Sequence, residues 1–216
     1  MKMPEINTSG EELANSLTHG LALVASLVAA FVLLQKAGFG NFDECMAALI
    51  FGLGLIILYA SSFFYHLFAA PELKKTWRLL DHSSIYILIA ASYTPFCLLI
   101  LPATTGTLLL AVIWSIAIVG ILLKIFFIGR LNWLSVVFYL GMGWAIVFAV
   151  KPLLSHFSGA GLYWLLAGGL SYTLGVVFYR WKTLTYHHAI WHVFVAGGSF
   201  CHFQSVYWYV LPEYTY

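Results

Sequence analysis

The chain has 216 residues, of which 62% are hydrophobic and only 8% are charged, and its mean hydropathy is +0.92. Soluble globular domains carry about 25% charged residues, so this composition excludes a soluble protein and indicates a membrane protein with several spans. The formal net charge of +2 is weak and there is no basic run, which argues against a nucleic-acid partner.

The N-terminal residues and the cysteines further constrain the class of protein. The first fifteen residues are polar and acidic, unlike a cleaved signal peptide, so we expect the first hydrophobic segment to remain in the mature protein. Three scattered cysteines, Cys45, Cys97 and Cys201, form neither a disulfide framework nor a CxxC metal spacing.

Seven apolar segments follow one another along the chain, with short linkers between them. A helix of about 20 apolar residues crosses the hydrocarbon core at a rise of 1.5 Å per residue. The predicted spans are Leu17–Leu34, Glu44–Phe68, Leu79–Leu101, Gly106–Ile128, Asn132–Val150, Gly161–Tyr179 and Tyr186–Leu211. Pro95 lies inside the third segment, where it removes a backbone hydrogen bond and predicts a kink.

The positions of lysine and arginine predict the orientation. With the loops numbered alternately, eight of the ten basic residues fall on the side of the N-terminus: Lys2, Lys74, Lys75, Arg78, Lys124, Arg130, Arg180 and Lys182. Only Lys36 and Lys151 fall on the other side. Because positive charge concentrates in cytoplasmic loops, we predict a cytoplasmic N-terminus and an outer C-terminus.

The predicted fold is therefore an all-α integral membrane protein, a seven-transmembrane helix bundle. A short cytoplasmic tail covers residues 1–16, the membrane domain covers residues 17–211, and an outer tail covers residues 212–216. We expect a multi-pass protein of the plasma membrane, which in a bacterium is the inner membrane.

This topology brings polar residues of separate segments to one depth near the cytoplasmic face. They are Ser62 and His66 at the end of segment two, Asp81 and His82 at the start of segment three, His188 and His192 at the start of segment seven, and His19 in segment one. Ionisable groups are costly in hydrocarbon, so such a layer is a candidate functional site.

The histidine spacing favours a metal site. His188 and His192 are four residues apart and so share one helical face, about 6 Å apart along the axis. His66 supplies a third nitrogen, and a water completes the pattern of an open, catalytic zinc site. Asp81 is the acid placed to take a proton from that water, and Ser62, one turn before His66, is placed to hydrogen-bond it or to orient a ligand.

Less specific interpretations of these residues stay open. The histidine pair could lie at the membrane interface without a metal, and Asp81 could cap segment three or pair with Arg78 or Lys75. Ser62 could bond the backbone carbonyl four residues earlier. We interpret His19, His82, His156 and His187 as interfacial, and His202, about 15 Å from His192 along the helix, as hydrogen-bonded within the bundle to a tyrosine.

Three sequence stretches resemble the hemolysin III family, within the superfamily of progestin and adipoQ receptors and alkaline ceramidases. They are "SSFFYH", "LLDHSSIYILIAASYTPF" and "HHAIWHVFVAGGSFCHF", and the resemblance extends over nearly the whole chain. The shared motif is a serine and a histidine separated by three residues, an aspartate opening segment three, and HxxxH opening segment seven.

This resemblance implies a seven-helix bundle with an inside N-terminus, one zinc ion bound by His66, His188 and His192, and a water held by Asp81. Ser62 is the serine of the motif. The superfamily is associated with metal-dependent, ceramidase-like lipid hydrolysis, so we expect a zinc-dependent hydrolase of a lipid amide or ester, with a membrane lipid as substrate or ligand and no soluble partner. The receptors' N-terminal domain has no counterpart here, so a hormone-receptor role does not follow.

Three other functions stay open. The zinc site could stabilise a non-enzymatic regulator or sensor of membrane lipids. The family name suggests a pore, although few charges are available to line one. A haem with two histidine ligands fits poorly, because histidines four apart on one helix cannot bind opposite faces of a porphyrin. Imidazole sites also bind copper, nickel or iron, so zinc is an expectation.

Overall fold

The computed structural model describes residues 8–127, 132–157 and 159–211, and within these ranges it contains helices and no strand. The α-helices there are α1 Ser9–Ala37, α2 Phe42–Leu67, α3 Pro71–Leu99, α4 Ala103–Phe127, α5 Asn132–Gly143, α6 Val150–His156, α7 Ala160–Arg180 and α8 His187–Ser205. A 3₁₀-helix, Ala145–Ala149, joins α5 to α6, and a π-helix, Val206–Val210, continues α8. The predicted all-α fold is confirmed, whereas the predicted outer tail and two of the counted basic residues, Lys2 and Arg130, lie outside the described ranges.

Across the described residues, six helical segments, one fewer than the predicted seven, are long and apolar enough to cross a membrane. They are α1, α2, α3, α4, the segment Trp133–His156 and α7. The protein is therefore a multi-pass integral membrane protein. The seventh predicted segment forms α8 and the π-helix, but its four histidines and one glutamine make it more polar than the others. A seventh span and the orientation of the termini stay predictions.

The first helix begins eight residues earlier than its apolar sequence indicates. Thr8 is its N-cap: the threonine side chain accepts a hydrogen bond from the backbone N–H of Glu11, and the Glu11 carboxylate accepts one from the N–H of Thr8. This reciprocal capping box satisfies two backbone donors that the first turn of a helix leaves without partners. The helix therefore includes Glu12 and Asn15, which the sequence analysis assigned to a polar tail.

Helices α2 and α3 form the centre of the bundle and are the most buried of the six candidate spans. Small residues let the backbones approach: a Cβ atom on Gly54 of α2 would lie only 2.5 Å from the Cβ of Ala91 on α3. Gly52 meets Ala30 of α1 in the same way. Such contacts are typical of membrane bundles, where close packing replaces the hydrophobic effect.

The fifth candidate span is interrupted in its middle by the 3₁₀-helix. A helix break inside a membrane leaves backbone groups that need other partners. The hydroxyl of Tyr93 on α3 supplies them: it donates to the carbonyl oxygen of Met142 at 2.7 Å and accepts from the N–H of Ile146 at 3.0 Å. The interrupted segment is thereby fixed against α3.

Two smaller predictions can be compared with the structure. Helix α3 continues through Pro95 to Leu99, so the proline does not end the helix. The three cysteines are all free thiols, in agreement with the absence of a disulfide framework.

Candidate metal centre

Three histidines from two helices meet near one end of the bundle. His66 lies in the last turn of α2, and His188 and His192 lie one turn apart at the start of α8. One ring nitrogen of each lies within 4.8 Å of the others, an arrangement able to hold a metal ion. In the described part of the chain, the Nε2 atom of each ring is buried and without a hydrogen-bond partner. Buried polar atoms are seldom left unpaired, so these three nitrogens fit a metal ion.

Neighbouring groups fix the orientation of two of the rings. His66 Nδ1 lies 2.7 Å from Glu12 Oε2, and a carboxylate can only accept, so Nδ1 donates. His192 Nδ1 lies 3.2 Å from the backbone oxygen of Asn15, also an acceptor. In both rings Nδ1 therefore carries the proton and Nε2 presents its lone pair, which is the tautomer that a metal requires.

The start of α8 is held by α1. Tyr186, which precedes α8, has a left-handed backbone with φ of 59°, uncommon for a residue other than glycine. Its N–H donates to Glu11 Oε1 at 3.2 Å. Farther along, the ring of His19 stacks on that of His192, with centroids 3.5 Å apart. The α1 helix thus contacts the ligand-bearing turn of α8 at several points.

Asp81 is 3% exposed and interacts electrostatically with His66 and Lys124. It lies ten residues into α3, whose N-cap is Ala70, so it does not cap this helix. No ion pair joins it to Arg78 or Lys75 among the described residues. The capping interpretation of Asp81 is therefore wrong, whereas Arg78 does interact electrostatically with its carboxyl group.

Ser62 is completely buried and faces the Asp81 carboxyl. Its hydroxyl makes no hydrogen bond of good geometry within the described ranges. The serine that bonds the carbonyl four residues earlier is its neighbour Ser61, which donates to Ile57 at 2.6 Å. The back-bonding interpretation of Ser62 is therefore wrong.

A cavity of about 420 Å³ adjoins the histidine cluster. Its ionisable lining groups include His19, Asp81, His82, Lys124, Tyr179, His188 and His202. Most of the remaining wall is apolar and comes from α3, the interrupted fifth span, α7 and α8. Along α3 the lining runs from Asp81 to Phe96, about 22 Å at helical rise.

The other histidines differ in part from the predictions. His19 and His187 are buried within the protein, at 1% and 7% exposure, and His82 lines the cavity, while the interfacial depth of these residues stays a prediction. His156 is exposed, as expected. His202 contacts Tyr172 edge-on with ring centroids 5.4 Å apart, rather than by a hydrogen bond.

Sequence reasoning placed His19 of α1 in the polar layer but missed the contacts made by Glu12, Asn15 and Thr18 of this helix. Glu12 contacts His66, the Asn15 carbonyl and Thr18 hydroxyl contact His192, and His19 stacks on it. Glu12, Asn15 and His19 are spaced three and four residues apart, a spacing that places side chains on one helical face. The signal was therefore present, but it began in a stretch assigned to a tail.

The sequence matches known proteins over almost its full length. The family described as "Haemolysin-III related" matches residues 7–203. The chain is 43% identical to Hemolysin-3 of Bacillus cereus, over 94% of this chain and 93% of that protein. It is 44% identical to the Hemolysin-3 homolog of Bacillus subtilis (strain 168), over 94% and 95%. It is 29% identical to the monocyte to macrophage differentiation factor of Homo sapiens, over 94% and 86%.

The geometry predicts the metal content of the purified protein. We expect about one zinc ion per chain in the wild type and almost none in His66→Ala or His192→Ala, because two imidazoles rarely retain the ion. Elemental analysis after zinc loading and removal of excess metal measures this. His156→Ala is the control, since this exposed histidine lies outside the cluster. A folded wild type without metal would contradict the prediction.

Proposed function

The chain belongs to the haemolysin-III-related family, and from this membership and the histidine geometry we propose that it is a zinc-dependent membrane hydrolase. The substrate is a lipid with an amide or ester bond close to the cytoplasmic leaflet. One observation carries the proposal: three imidazoles with unpartnered nitrogens converge beside a long, mostly apolar cavity, which His188 lines.

His66, His188 and His192 are the residues that would hold the metal. Three neutral imidazoles with a fourth position open are typical of catalytic zinc sites, whereas structural sites use four protein ligands. A zinc ion supplies Lewis acidity, which polarises a carbonyl group and makes water a better nucleophile at neutral pH. Imidazoles also accept other transition metals, so zinc itself is part of the proposal.

Asp81 is the proposed general base. It is buried beside the cluster and lines the cavity, so it can reach both water and a bound lipid. Water adds to the carbonyl carbon as Asp81 takes its proton, the bond from carbon to nitrogen or oxygen breaks, and the proton passes to the leaving atom. Ser62 faces the carboxyl and positions it for this transfer.

The cavity supports a lipid substrate. Its volume lies within the range of about 300–1,000 Å³ that is usual for ligand pockets. Its length of about 22 Å along α3 exceeds half of the hydrocarbon core, about 15 Å, which is the depth of one leaflet's acyl chains. An acyl chain along the apolar wall would place its head at the histidines.

The topology is a further part of the proposal. We infer seven spans, with α8 and the π-helix as the last, a cytoplasmic N-terminus and an outer C-terminus, in the plasma membrane. The support is the excess of lysine and arginine in alternate loops. This orientation puts the metal site near the cytoplasmic leaflet.

Two other functions remain as outcomes of the experiments. A protein that binds zinc and hydrolyses no lipid would be a metal-stabilised regulator or sensor. The name Hemolysin-3 of a relative motivates a pore, which leakage of dye from liposomes at a low ratio of protein to lipid would support. The mostly apolar wall of the cavity does not favour ion conduction.

Asp81→Asn tests the hydrolase. The variant should keep its zinc but lose turnover of lipid amides or esters by about 10²- to 10⁴-fold, since general-base catalysis contributes factors of this size. Turnover is measured by mass spectrometry on a broad lipid extract. Asp43→Asn, the same exchange at an exposed position in the first turn of α2, should act like the wild type. If wild-type protein with full zinc occupancy cleaves no lipid, the proposed hydrolase activity is refuted.

Gly169→Leu tests the position of the acyl chain. Gly169 lines the cavity, and a Cβ atom there meets only Trp144, at 3.9 Å, so a leucine can project into the lumen. We expect KM to rise about tenfold for long-chain substrates, the size of effect that one or two methylenes have in a pocket, and to change little for short ones. Gly141→Leu is the control, because nothing lies within 4 Å and Gly141 does not line the cavity. An equal rise for all chain lengths would contradict this placement.

Labelling of single cysteines tests the orientation. In a variant without the three native cysteines, Phe39→Cys between α1 and α2 should react with an impermeant maleimide in intact cells. Lys75→Cys near the start of α3 should react only after lysis, and a tag added after Tyr216 should be accessible from outside. Phe39 and Lys75 are both exposed. The reverse labelling pattern would mean that the topology is inverted. A tag that is accessible only from the inside would mean that there is no seventh span.

A further inference from the structure

A charged chain of contacts links α1 to the histidine cluster. Glu12 uses both carboxylate oxygens: Oε2 lies 2.7 Å from His66 Nδ1, and Oε1 lies 2.8 Å from Lys74 Nζ. The three residues come from α1, α2 and α3. The His66 side chain is 1% exposed, whereas Glu12 and Lys74 are 22% and 26% exposed.

The contact from Glu12 decides which His66 nitrogen is available. A carboxylate has no proton to donate, so His66 Nδ1 donates to it and Nε2 keeps a free lone pair. Nε2 is also the atom that lacks a hydrogen-bond partner in the described part of the chain, and one nitrogen of this ring belongs to the convergent cluster. The carboxylate also places a negative charge beside the ring, which strengthens the bond between Nε2 and a bound cation.

The other ligands lack this feature. Among the described contacts, His192 donates to a neutral acceptor, the Asn15 carbonyl, with the Thr18 hydroxyl also near Nδ1. The ring of His188 contacts other aromatic rings, among them that of Trp191, with centroids 4.8 Å apart. The negative charge of Glu12 thus acts on the cluster through His66.

Lys74 fixes Glu12 in turn. Its ammonium group also lies over the ring of Tyr65, 5.3 Å from the centroid, so it is held on two sides. An isolated surface ion pair contributes little to stability. Here, however, the ion pair with Lys74 orients the Glu12 carboxylate, because the other oxygen of that carboxylate contacts the buried His66 ring.

We propose that Glu12 is a positioning residue of the metal centre, which sets the tautomer and the angle of His66 and raises the affinity for the ion. Lys74 holds Glu12 in place. This inference rests on the metal site of the proposed function but does not require hydrolysis. The first helix is therefore part of the site, although it supplies no metal ligand.

The test measures zinc affinity by competition with a chromophoric chelator in purified, detergent-solubilised protein. Glu12→Ala should raise the Kd for zinc by about 10- to 100-fold, the usual effect of removing the outer partner of a histidine ligand. Glu12→Gln should lie between this variant and the wild type, because an amide oxygen still accepts from Nδ1 but carries no charge. Glu72→Gln, an exposed acid in the first turn of α3, is the charge-matched control and should not change the Kd.

A second readout separates positioning from general stabilisation. Zinc should raise the Tm of the wild type by linkage, and this increment should shrink in Glu12→Ala while the Tm of the metal-free protein changes less. An unchanged zinc Kd in Glu12→Ala would overturn the inference and leave the metal site intact. A wild type that binds no zinc would overturn both. If the wild type binds zinc but cleaves no lipid, and Glu12→Ala binds zinc more weakly, the positioning role of Glu12 would be upheld and the hydrolase function refuted.

Discussion

Inside a membrane bundle a buried polar group has no bulk water to bind, so it needs a partner in the protein or in a ligand. The backbone obeys this constraint even where the fifth candidate span is broken, because the Tyr93 hydroxyl pairs with the groups that the break exposes. Several buried groups of the described residues have no hydrogen-bond partner, and three of them, the Nε2 atoms of His66, His188 and His192, belong to rings that meet in one cluster. A single cation bound there would give all three a partner.

The packing of the bundle explains why these residues meet. Glycines such as Gly54 bring α2 and α3 close together, and α1 packs along α2 on one side and against α8 on the other. His66 lies at the end of α2, where α8 begins, so the histidines of two helices distant in sequence meet. Glu11 contacts Tyr186, which precedes α8, and Glu12 contacts His66 of α2. These contacts join the first turn of α1 to both helices. The site is thus built where three helices end or begin, and small shifts between helices would alter all of its contacts.

Much of the site could be predicted from the order and depth of polar residues. Alternating spans place His66, Asp81 and the His188–His192 pair at one level, and the structure brings the three histidines within metal-binding distance. The role of α1 could not be found in this way, because hydropathy marks only the apolar part of a helix. The helix starts at Ser9, where the T-x-x-E pattern of Thr8 and Glu11 forms a capping box. For the same reason the histidine-rich α8 falls below the hydropathy of the other spans, although it forms a regular helix.

Most of the cavity wall is apolar, and a smaller polar part of the wall includes ionisable groups. The ionisable groups His19, Asp81, His82, Lys124 and His188 line the cavity, and so do Ser92 and Tyr93 of α3 and His202 of α8. A lipid, the proposed substrate, would satisfy both parts at once: its chain would supply the missing contacts along the apolar wall, and its polar head would meet the groups proposed to react. A small polar substrate would leave most of the wall unfilled. The shape of the cavity and the position of the histidines therefore favour the same class of ligand, for separate physical reasons.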